Sequence, residues 1–487
     1  MPFAAYHAPF LLDRPGGKEK KQHLLWGDAV ELLGSSVGSW VKVHSRKTDG
    51  WIRQEDLQDE PLLEVNYVDI GQGDGCHIVT PDGRNLLIDA GEKAEMYRYF
   101  NWRYDLEENP ERRIRFAVTV ISHPDLDHYG GLLTLNKKRF FAFGSVYHNG
   151  IVERVGKPGV GPKRKFGNRS YLTDVIPDRV SLSRIIDDPE KVGRRNYPIL
   201  MRDLVREGLA DDVRMVSSLD RFLPGFGEDE ELAIEVLGPI PEPTPTLPHR
   251  LRWFGSEGKT KNGHSVVLKL RYRDITLLLG GDLNIPSEKF LLGIYTGLDP
   301  APRSETGARA VIEAARPTFE VDVAKACHHG SGDFTTLFIQ AVNPRATVVS
   351  SGDDESHAHP RPDTLGAFGK YARGERPLIF STELARSTRE VVEDPDALRA
   401  EISRLLEIRD QLTDPQARQK IRDRIQAALD RIERSIAVYG TIYLRTDGRK
   451  LMIAQKLERQ RPTTKEKWDV HRFEPDAQGE LIYQSKH

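Results

Sequence analysis

Short runs of alternating hydrophobic and polar residues fill the first 60 positions, with glycine and aspartate between the runs. The apolar runs lie at 24–26, 29–33, 40–43 and 51–52. Alternation at such short intervals is typical of strands that bury one face, and the spacing leaves no room for ordinary helices. We therefore predict a small N-terminal β-barrel over residues 1–60.

The pattern changes from residue 61 onward to strands that alternate with helices. Strands are predicted at 63–70, 76–80, 85–89, 116–122, 232–237, 266–272, 276–280, 321–327 and 346–350. Helices are predicted at 304–315 and 363–371. This alternation favours a layered α/β domain over residues 61–487, in which residues 139–230 form a charged insertion of mixed character.

A second insertion is predicted at residues 395–437. Its apolar residues recur at spacings of three and four, as on a helix face, and Asp414-Pro415 supplies an N-cap followed by proline at the first helical position. Strands resume at 440–444 and 451–454. The segment is therefore expected to be a two-helix hairpin inserted into the sheet domain, and it could also mediate a homodimer.

Composition narrows the class of protein. Lys and Arg total 71 against 73 Asp and Glu, a net charge of −2, so any polyanion must be held by a local patch. Two cysteines, Cys76 and Cys327, favour a reducing compartment. The N-terminus lacks the features of a signal peptide, and no run of 18 apolar residues is present. We expect a soluble, cytoplasmic protein that does not engage membranes.

The strongest chemical signal directly follows the strand at 116–122. Four side chains that can bind metal fall within six residues: His123, Asp125, Asp127 and His128. Imidazole and carboxylate together suit zinc, manganese or iron. A loop at the strand end could direct all four inward, whereas a helix would distribute them around its circumference. The sequence thus predicts a metal site carried by a loop.

Other predicted strands also end in residues that bind metal or are polar. Asp89 ends one strand, Asp282 follows another after two glycines, and the pair His328–His329 follows a third. The segment Ser356-His357-Ala358-His359 follows the strand at 346–350. Ligands commonly gather where the strands of an open sheet end, so these segments are expected to complete a two-metal site.

The chain resembles the metallo-β-lactamase superfamily. Residues 123–128 read HPDLDH, an HxDxDH variant of its HxHxDH signature. More specifically, the chain is similar to the hydrolase domain of ComEC-type DNA-uptake proteins, through the motifs at 68–74 (VDIGQGD), 87–91, 262–265 (NGHS), 281–282, 328–331 (HHGS) and 358–360. The resemblance covers residues 63–385 and the two strands after the hairpin. It implies an αββα sandwich with a dinuclear centre at one edge.

The resemblance also implies roles for single residues. His123 and Asp125 match ligands of one ion, Asp127 and His128 match ligands of the other, and Asp282 matches the bridging carboxylate. One of His328 and His329 matches the late histidine ligand. Asp89 and Asp74 are expected to orient ligands by hydrogen bonds rather than to bind metal. The implied cofactors are two divalent ions, Zn²⁺ or Mn²⁺, and the carboxylate at Asp125 tilts the choice toward manganese.

Two histidines remain candidates for catalysis alongside Asp127. His264 lies near the position of the superfamily's middle histidine ligand, for which this chain has no clear counterpart. His359 is expected at the edge of the site, where it could protonate the leaving group or hold a phosphate. Two ions would activate a water molecule as nucleophile and polarise the scissile oxygen.

A basic loop points to a phosphodiester substrate such as DNA or RNA. Between residues 153 and 169, six cationic side chains face a single acidic one, Glu153. Such a loop can contact backbone phosphates, and Lys163, Arg164 and Lys165 are its central candidates. Asn262 and Ser265, from the NGHS motif, are further candidates for substrate binding. The interpretation is a soluble metal-dependent phosphodiesterase, most plausibly a nuclease.

Two alternatives stay open at this point. The first is a small-molecule hydrolase that acts on a cyclic nucleotide, a phosphocholine ester or a lactone. The second is a scaffold or assembly protein, because the spacing of residues up to Leu57 resembles bacterial SH3-like domains, which could bind a protein partner. A nearly complete ligand set argues against the scaffold.

Overall fold

A computed structural model describes the chain except for residues 47, 248, 353–357, 384–394, 434–435, 458 and 486–487. The predicted helical-hairpin region and the predicted Ser356-His357 segment therefore lie partly outside the described residues.

The N-terminal 60 residues form strands, as the alternation predicts. Five of the strands build an antiparallel sheet in the order β3-β2-β6-β5-β4, and β1 pairs with β7. The strands are β1 (Phe3–Ala4), β2 (Phe10–Leu12), β3 (Lys20–His23), β4 (Glu31–Val37), β5 (Trp40–Ser45), β6 (Thr48–Arg53) and β7 (Leu57–Gln58). Whether this sheet is SH3-like remains a prediction.

The predicted strands of the first half of the α/β domain are present, with Phe116–Ser122 shifted slightly to begin at Ile114. The elements are β8 (Leu63–Tyr67), β9 (Gly75–Val79), β10 (Asn85–Ala90), α1 (Glu95–Tyr104), β11 (Ile114–Ile121) and α2 (Leu126–Leu135). β10, β11 and β12 (Phe141–His148) run parallel, so their carboxyl ends meet at one edge.

The charged segment 139–230 is an ordered mixture of elements. After β12 it contains β13 (Lys163–Phe166), β14 (Arg169–Leu172), α3 (Arg179–Ile186), α4 (Pro189–Val192), α5 (Asn196–Arg206) and β15 (Ala210–Met215). β12 and β15 extend the main sheet, so only the part between them is an insertion.

The second half of the domain continues with a second sheet and its helices. Its elements are β16 (Leu232–Gly238), β17 (Leu251–Arg252), α6 (Glu257–Gly263), β18 (Val267–Tyr272), β19 (Ile275–Leu279), α7 (Ile285–Thr296), α8 (Glu305–Phe319), β20 (Val323–Lys325), α9 (Thr336–Val342), β21 (Ala346–Val349), α10 (Pro362–Tyr371) and β22 (Leu378–Ser381). The helix predicted at 304–315 runs one turn further, through Pro317.

Helices α11 (Pro395–Gln411) and α12 (Pro415–Glu433) form the predicted hairpin, followed by α13 (Ile436–Tyr439). The chain then returns to the first sheet with β23 (Ile442–Thr446) and β24 (Leu451–Lys456). Two strands that the sequence pattern did not predict follow, β25 (Trp468–Pro475) and β26 (Leu481–Gln484). The hairpin is therefore an insertion between two strands of different sheets.

Two sheets stack face to face with helices on both outer faces. The ten-stranded sheet has the order β15-β12-β11-β10-β9-β8-β23-β24-β25-β26, and the six-stranded sheet has the order β16-β18-β19-β20-β21-β22. Buried Ile78 and Val120 of the first sheet pack with Ile234 and Leu268 of the second. Helices α1, α2 and α5 cover the outer face of the large sheet, and α7, α8 and α9 cover the outer face of the smaller one.

Helix α2 lies unusually close to the end of β10. A Cβ added to Gly131 would lie 2.0 Å from the Ala90 carbonyl oxygen, and one added to Gly130 would lie 2.1 Å from the Glu92 carbonyl oxygen. The double glycine after the metal motif therefore permits a backbone approach that any larger residue would prevent. This contact fixes the start of α2 against the strand that carries Asp89.

Candidate metal centre

Strand ends from both sheets bring the predicted ligands to one edge of the sandwich. β10 carries Asp89, and β11 leads directly into Ser122 and His123. In the second sheet, β19 leads through two glycines to Asp282, and β20 leads into a tight turn at Cys327–Gly330. Neighbouring strands in each pair are parallel, so all four segments leave the sheets on the same side.

The metal motif is divided between a turn and a helix, which corrects the prediction of a loop. His123 and Asp125 precede α2, whereas Asp127 and His128 lie in its first turn. Asp125 occupies the N-cap position in extended backbone conformation, without a capping hydrogen bond from its side chain. The turn changes the chain direction enough that both halves of the motif contribute to one cluster.

His128, His329 and Asp282 form the centre of the cluster. His128 Nε2 lies 3.4 Å from Asp282 Oδ1, and His329 Nε2 lies 3.3 Å from Asp282 Oδ2. Asp127 Oδ2 lies 3.5 Å from His329 Nε2. Ligand atoms in a tetrahedral site with bonds of about 2.1 Å are separated by about 3.4 Å, and the ligand atoms of Asp127, His128 and His329 converge closely enough to hold one ion.

His123 occupies the neighbouring side of Asp282. Its Nε2 lies 3.9 Å from Asp282 Oδ2 and 3.5 Å from Asp125 Oδ2, and its ring centroid lies 4.0 Å from that of His128. Asp282 thus lies near histidines from both halves of the motif, and its role as a bridging carboxylate stays a prediction. The ligand atoms of His123, His128 and Asp282 converge within 4.8 Å, whereas no group of converging ligand atoms among the described residues includes Asp125.

The Nδ1 atoms of His128 and His329 lie close to carboxylates behind the cluster. Asp89 Oδ2 lies 2.9 Å from His128 Nδ1, and Asp74 Oδ1 lies 3.2 Å from His329 Nδ1. The other Asp89 oxygen accepts a 2.7 Å hydrogen bond from the Ser122 amide. Such contacts fix ring orientation and turn Nε2 toward the ion. The orienting role of Asp89 and Asp74 stays a prediction, because both also belong to groups of converging candidate ligands.

Three buried histidine nitrogen atoms in the cluster lack hydrogen-bond partners among the described residues, which bears on whether the cluster suits a metal. Nε2 of His123, of His128 and of His329 has no hydrogen-bond partner among the described residues, and all three side chains are almost completely buried. Burying unpaired polar atoms costs free energy, and three of them converging on carboxylates is the arrangement that a divalent ion satisfies. The nitrogen and oxygen donor set fits zinc, manganese or iron.

The electrostatics of the cluster agree with a cation site. Burial would raise the pKa of Asp282, but His329, His128 and His328 hold it well below its ordinary value. Burial would lower the pKa of His128, but Asp282, Asp89 and Asp127 raise it well above its ordinary value. The carboxylates around His128 therefore favour positive charge at this position.

His328 and His329 have different surroundings. His329 is buried inside the cluster, whereas the His328 side chain is 26% exposed and its Nε2 lies 3.8 Å from Asp282 Oδ2. Both residues have left-handed backbone, with φ of 50° and 53°. This conformation is uncommon for non-glycine residues and turns the two rings apart. Of the pair, His329 has its ligand atom among those of Asp127 and His128.

His264 does not direct its Nε2 at the cluster, which corrects its predicted catalytic or ligand role. That nitrogen lies 2.7 Å from the Arg252 carbonyl oxygen, and the ring stacks on Phe254 at 4.7 Å. Burial lowers the pKa of His264 to about 4, so the ring is neutral. His264 connects β17 to the segment that carries Asn262 and Ser265.

Ser265 lies behind the ligands rather than on an exposed surface. It is fully buried, its Oγ accepts a 3.0 Å hydrogen bond from the Asp282 amide, and it lies 3.3 Å from His123 Nδ1. The prediction that Ser265 binds substrate is therefore corrected to a role in positioning ligands. The Asn262 carbonyl oxygen accepts from Ser265 Oγ, and its amide, in the orientation that satisfies its hydrogen bonds, lies 3.0 Å from Asp125 Oδ2.

His359 lies at the rim, near the late histidines. Its ring centroid is 5.6 Å from that of His328 and 6.4 Å from that of His329. Its side chain is partly exposed. The neighbouring His357 of the same motif lies outside the described residues.

The basic loop forms an exposed hairpin of β13 and β14. Lys163, Arg164 and Lys165 are all exposed on β13, and β14 pairs with β17 through Tyr171 and Arg252. Arg154, in contrast, is buried against Asp174, so it does not belong to the exposed patch. The hairpin is linked through β17 to the segment 262–265, because the Arg252 carbonyl contacts His264.

Two lysines at the site were not predicted from the sequence. Lys325 ends β20 fully inside the fold, contacts Asp74, and lies 3.9 Å from Asp282 Oδ1. A lysine within an otherwise apolar strand is the signal that could have revealed it. Lys261 on α6 contacts Asp125 across 136 positions of the chain, and local sequence carries no sign of that contact.

Comparison with known proteins now identifies the family. The sequence model of the metallo-beta-lactamase superfamily matches residues 76–330, more than half of the chain. The chain belongs to the metallo-beta-lactamase superfamily. The matched range includes the HPDLDH motif, Asp282 and both late histidines.

One curated relative shares a part of the chain. ComE operon protein 3 of Bacillus subtilis (strain 168) is 22% identical over 323 residues, which cover 63% of this chain and 31% of that protein. The chain therefore spans about a third of the length of this relative. No helix among the described residues has the length and apolar character needed to cross a membrane.

Solved structures of the superfamily are also similar. Tm1679, described as a metal-dependent hydrolase of the beta-lactamase superfamily, is 12% identical, with 66% of this chain and 95% of that chain covered and a TM-score of 0.30. A motif mutant of the metallo-beta-lactamase from Cronobacter sakazakii is 15% identical, with 53% and 75% covered and a TM-score of 0.25.

Proposed function

We propose that this superfamily hydrolase is a metal-dependent phosphodiesterase that acts on nucleic acid. The observation that carries the proposal is the exposed basic hairpin β13–β14 beside the segment that leads to the metal cluster. Five exposed cationic residues lie on this hairpin or on the loop that precedes it: Lys157, Lys163, Arg164, Lys165 and Arg169. Cations placed this way can contact the phosphates of a strand whose backbone reaches the cluster.

Aromatic residues support the same interpretation of the hairpin. Phe166 is exposed on β13, and the Arg250 guanidinium lies over its ring at 5.1 Å and over the Tyr171 ring at 4.1 Å. Lys163 Nζ lies over the Trp253 ring at 4.6 Å. Interleaved cations and aromatic rings suit a single strand, because bases stack on the rings while the cations bind phosphates.

The ions expected at the cluster, two of Mn²⁺ or Zn²⁺ as predicted, would supply a nucleophile from water at neutral pH and polarise the phosphoryl oxygen. The chain's own part is to hold that centre rigidly. Asp89 and Asp74 fix the rings of His128 and His329, and Ser265 fixes the backbone at Asp282. We propose His359, at the rim, as the donor of a proton to the leaving oxygen.

A substrate panel tests this proposal. Metal-stripped protein is supplied with Mn²⁺ or Zn²⁺ and offered single- and double-stranded DNA, RNA, a cyclic nucleotide, a phosphocholine ester and a lactone. We expect cleavage of nucleic acid by the wild type and none by the double variant Asp127→Ala/His128→Ala. Turnover of the lactone alone, or equal cleavage by the double variant, would refute the proposal.

A matched pair of charge variants tests the hairpin. The triple variant Lys163→Ser/Arg164→Ser/Lys165→Ser should raise KM for DNA and reduce its salt dependence, by a slope of about 0.7–0.9 for each phosphate that the variant no longer neutralises. The control Lys137→Ser/Lys138→Ser/Arg139→Ser removes the same charge beyond the far end of α2 and should leave KM close to that of the wild type. Equal KM for both variants would favour the small-molecule hydrolase.

Two regions outside the sandwich, the N-terminal sheet and the helical hairpin, are candidates for contacts with partners. We propose an SH3-like N-terminal sheet that binds a protein partner and a homodimer through the helical hairpin. Light scattering on a chain that lacks residues 395–437 tests the dimer, and an unchanged mass would exclude the hairpin as the interface. Elemental analysis separates enzyme from scaffold, because a scaffold would hold no stoichiometric metal.

A further inference from the structure

Lys261 is buried beside the carboxylate that the superfamily motif assigns to a metal ion. The residue lies near the end of α6, and its side chain is 15% exposed. Its Nζ forms an ion pair with Asp125 Oδ1 and a second one, at 2.9 Å, with Glu153 Oε1. At this position the ammonium group of Lys261 offsets the negative charge of Asp125.

Both oxygens of Asp125 have partners from the chain. Oδ1 is bound by Lys261, and Oδ2 lies 3.0 Å from the Asn262 amide nitrogen and 3.5 Å from His123 Nε2. Asp125 is therefore fully paired within the chain, with Lys261 on one oxygen and Asn262 on the other.

Asp127, the other motif carboxylate, has a different environment. Its ion-pair partner within the described part of the chain is His329, a group that itself faces the cluster, and no lysine or arginine pairs with it there. Its ligand atom converges with those of His128 and His329, and each of these histidines also lies within 3.4 Å of an Asp282 oxygen. The His123–Asp125 position, in contrast, has two strong candidate ligands besides the shared Asp282, and one of them is already bound to a cation.

We propose that Lys261 competes with a metal ion for Asp125, so that the two ion positions fill unequally. The position of Asp127, His128, His329 and Asp282 binds the first ion tightly. The position of His123 and Asp125 binds a second ion only as Lys261 withdraws from Asp125, and its Nζ then remains paired with Glu153. This inference rests on the metal dependence in the proposed function and adds an internal cation that sets the occupancy of the second position.

Calorimetric titration of the metal-stripped full chain with Mn²⁺ measures the competition between Lys261 and the second ion for Asp125. We expect a tight and a weak class of sites in the wild type. Lys261→Met should tighten the weak class by about tenfold to a hundredfold, the range that follows from removal of a charged hydrogen bond, and leave the tight class unchanged. Lys261→Arg, which retains the cation, should restore the wild-type pattern.

Lys259→Met is the matched control, because Lys259 is exposed on the same helix and pairs with Asp333 at 3.4 Å. It should leave both classes unchanged. A Lys261→Met protein with an unchanged weak class, or with both classes tightened equally, would overturn the inference, because the second result would reflect only a general loss of positive charge.

Glu153→Gln gives a second and opposite test that leaves Lys261 in place. Without Glu153, Lys261 keeps Asp125 as its remaining acidic partner, so the weak class should become weaker still. An unchanged or tighter weak class would contradict the competition. A wild type that binds no Mn²⁺ would refute the proposed function itself, whereas two equal sites in a protein that cleaves phosphodiesters would refute this inference alone.

Discussion

His328 and His329 are adjacent in the chain, yet only His329 is surrounded by the other candidate ligands. The sequence left open which of the two binds metal, because both follow the same strand and both are histidines. The choice depends on the left-handed backbone at both residues, which local sequence does not reveal.

Substitution of these two residues should therefore have unequal effects. His329→Ala removes a candidate ligand and should weaken Mn²⁺ binding more than removal of an orienting partner does, which costs roughly ten- to hundredfold. His328→Ala should change the affinity by less than tenfold, roughly, since it removes a side chain at the rim. Calorimetry on both variants measures this, and equal losses of affinity would contradict the assignment.

The buried carboxyl of Glu288 on α7 should make the free energy of unfolding depend on pH. Its carboxyl accepts a hydrogen bond from the Thr335 amide, and burial raises its pKa to about 8 from an ordinary 4.5. The folded chain therefore keeps a proton that the unfolded chain has released. The resulting stabilisation is complete below pH 4.5 and is lost as pH rises through 8, by at most about 1.4 kcal/mol per pH unit.

Glu288→Gln should remove this dependence, because glutamine mimics the protonated carboxyl at every pH. Thermal unfolding in the presence of a chelator should give similar midpoints for wild type and variant at pH 5. At pH 8 the variant should be the more stable protein. Stability curves that run parallel from pH 5 to pH 8 would show that Glu288 is ionised in the fold.

The contact between α2 and β10 determines where the metal motif at residues 123–128 lies. Gly131→Ala places a methyl group 2.0 Å from the Ala90 carbonyl oxygen, so helix and strand must separate. Overpacking of this kind costs about 1–3 kcal/mol. We expect a lower midpoint in urea unfolding and, because α2 carries Asp127 and His128, weaker metal binding.

Gly366→Ala is the control for this substitution. Gly366 lies within α10, where an added Cβ meets no atom within 4 Å. Alanine stabilises a helix by up to about 1 kcal/mol relative to glycine, so this variant should be at least as stable as the wild type. Equal stability of both variants would contradict the close approach of α2 to β10.

The element pattern was largely predictable because the strands that supply the ligands are buried and apolar. β10, β11, β19 and β20 each end in chemically distinctive residues, and short apolar runs reveal them. β25 and β26 were not predicted, since they expose much of their surface and carry charged residues such as Asp469 and Arg472. The start of α2 was also missed, because its first turn consists of the ligands themselves.

At the scale of the whole molecule, the N-terminal sheet packs onto the α/β domain. Leu25 and Trp26 belong to the same buried cluster as Tyr443 and Trp468. The Trp468 indole donates a 3.0 Å hydrogen bond to the His23 carbonyl oxygen. The sequence pattern predicts two separate units, because contacts across more than 400 positions leave no local signal.

This shared core predicts that the N-terminal sheet and the sheet containing β25 unfold together. Scanning calorimetry of the full chain should show one transition for them. Trp468→Ala should lower its temperature, since truncating a buried tryptophan costs about 3–5 kcal/mol. A separate low-temperature transition that disappears on removal of residues 1–60 would show that the sheet folds independently.

We propose that the cluster around Asp282 is a metal centre that hydrolyses phosphodiesters. The most direct test is hydrolysis of bis(p-nitrophenyl) phosphate by metal-stripped protein before and after addition of Mn²⁺. We predict that Mn²⁺ restores turnover in the wild type and fails to restore it in Asp282→Asn. A wild type that stays inactive with Mn²⁺ and Zn²⁺, or an Asp282→Asn variant that turns over equally well, would contradict the claim.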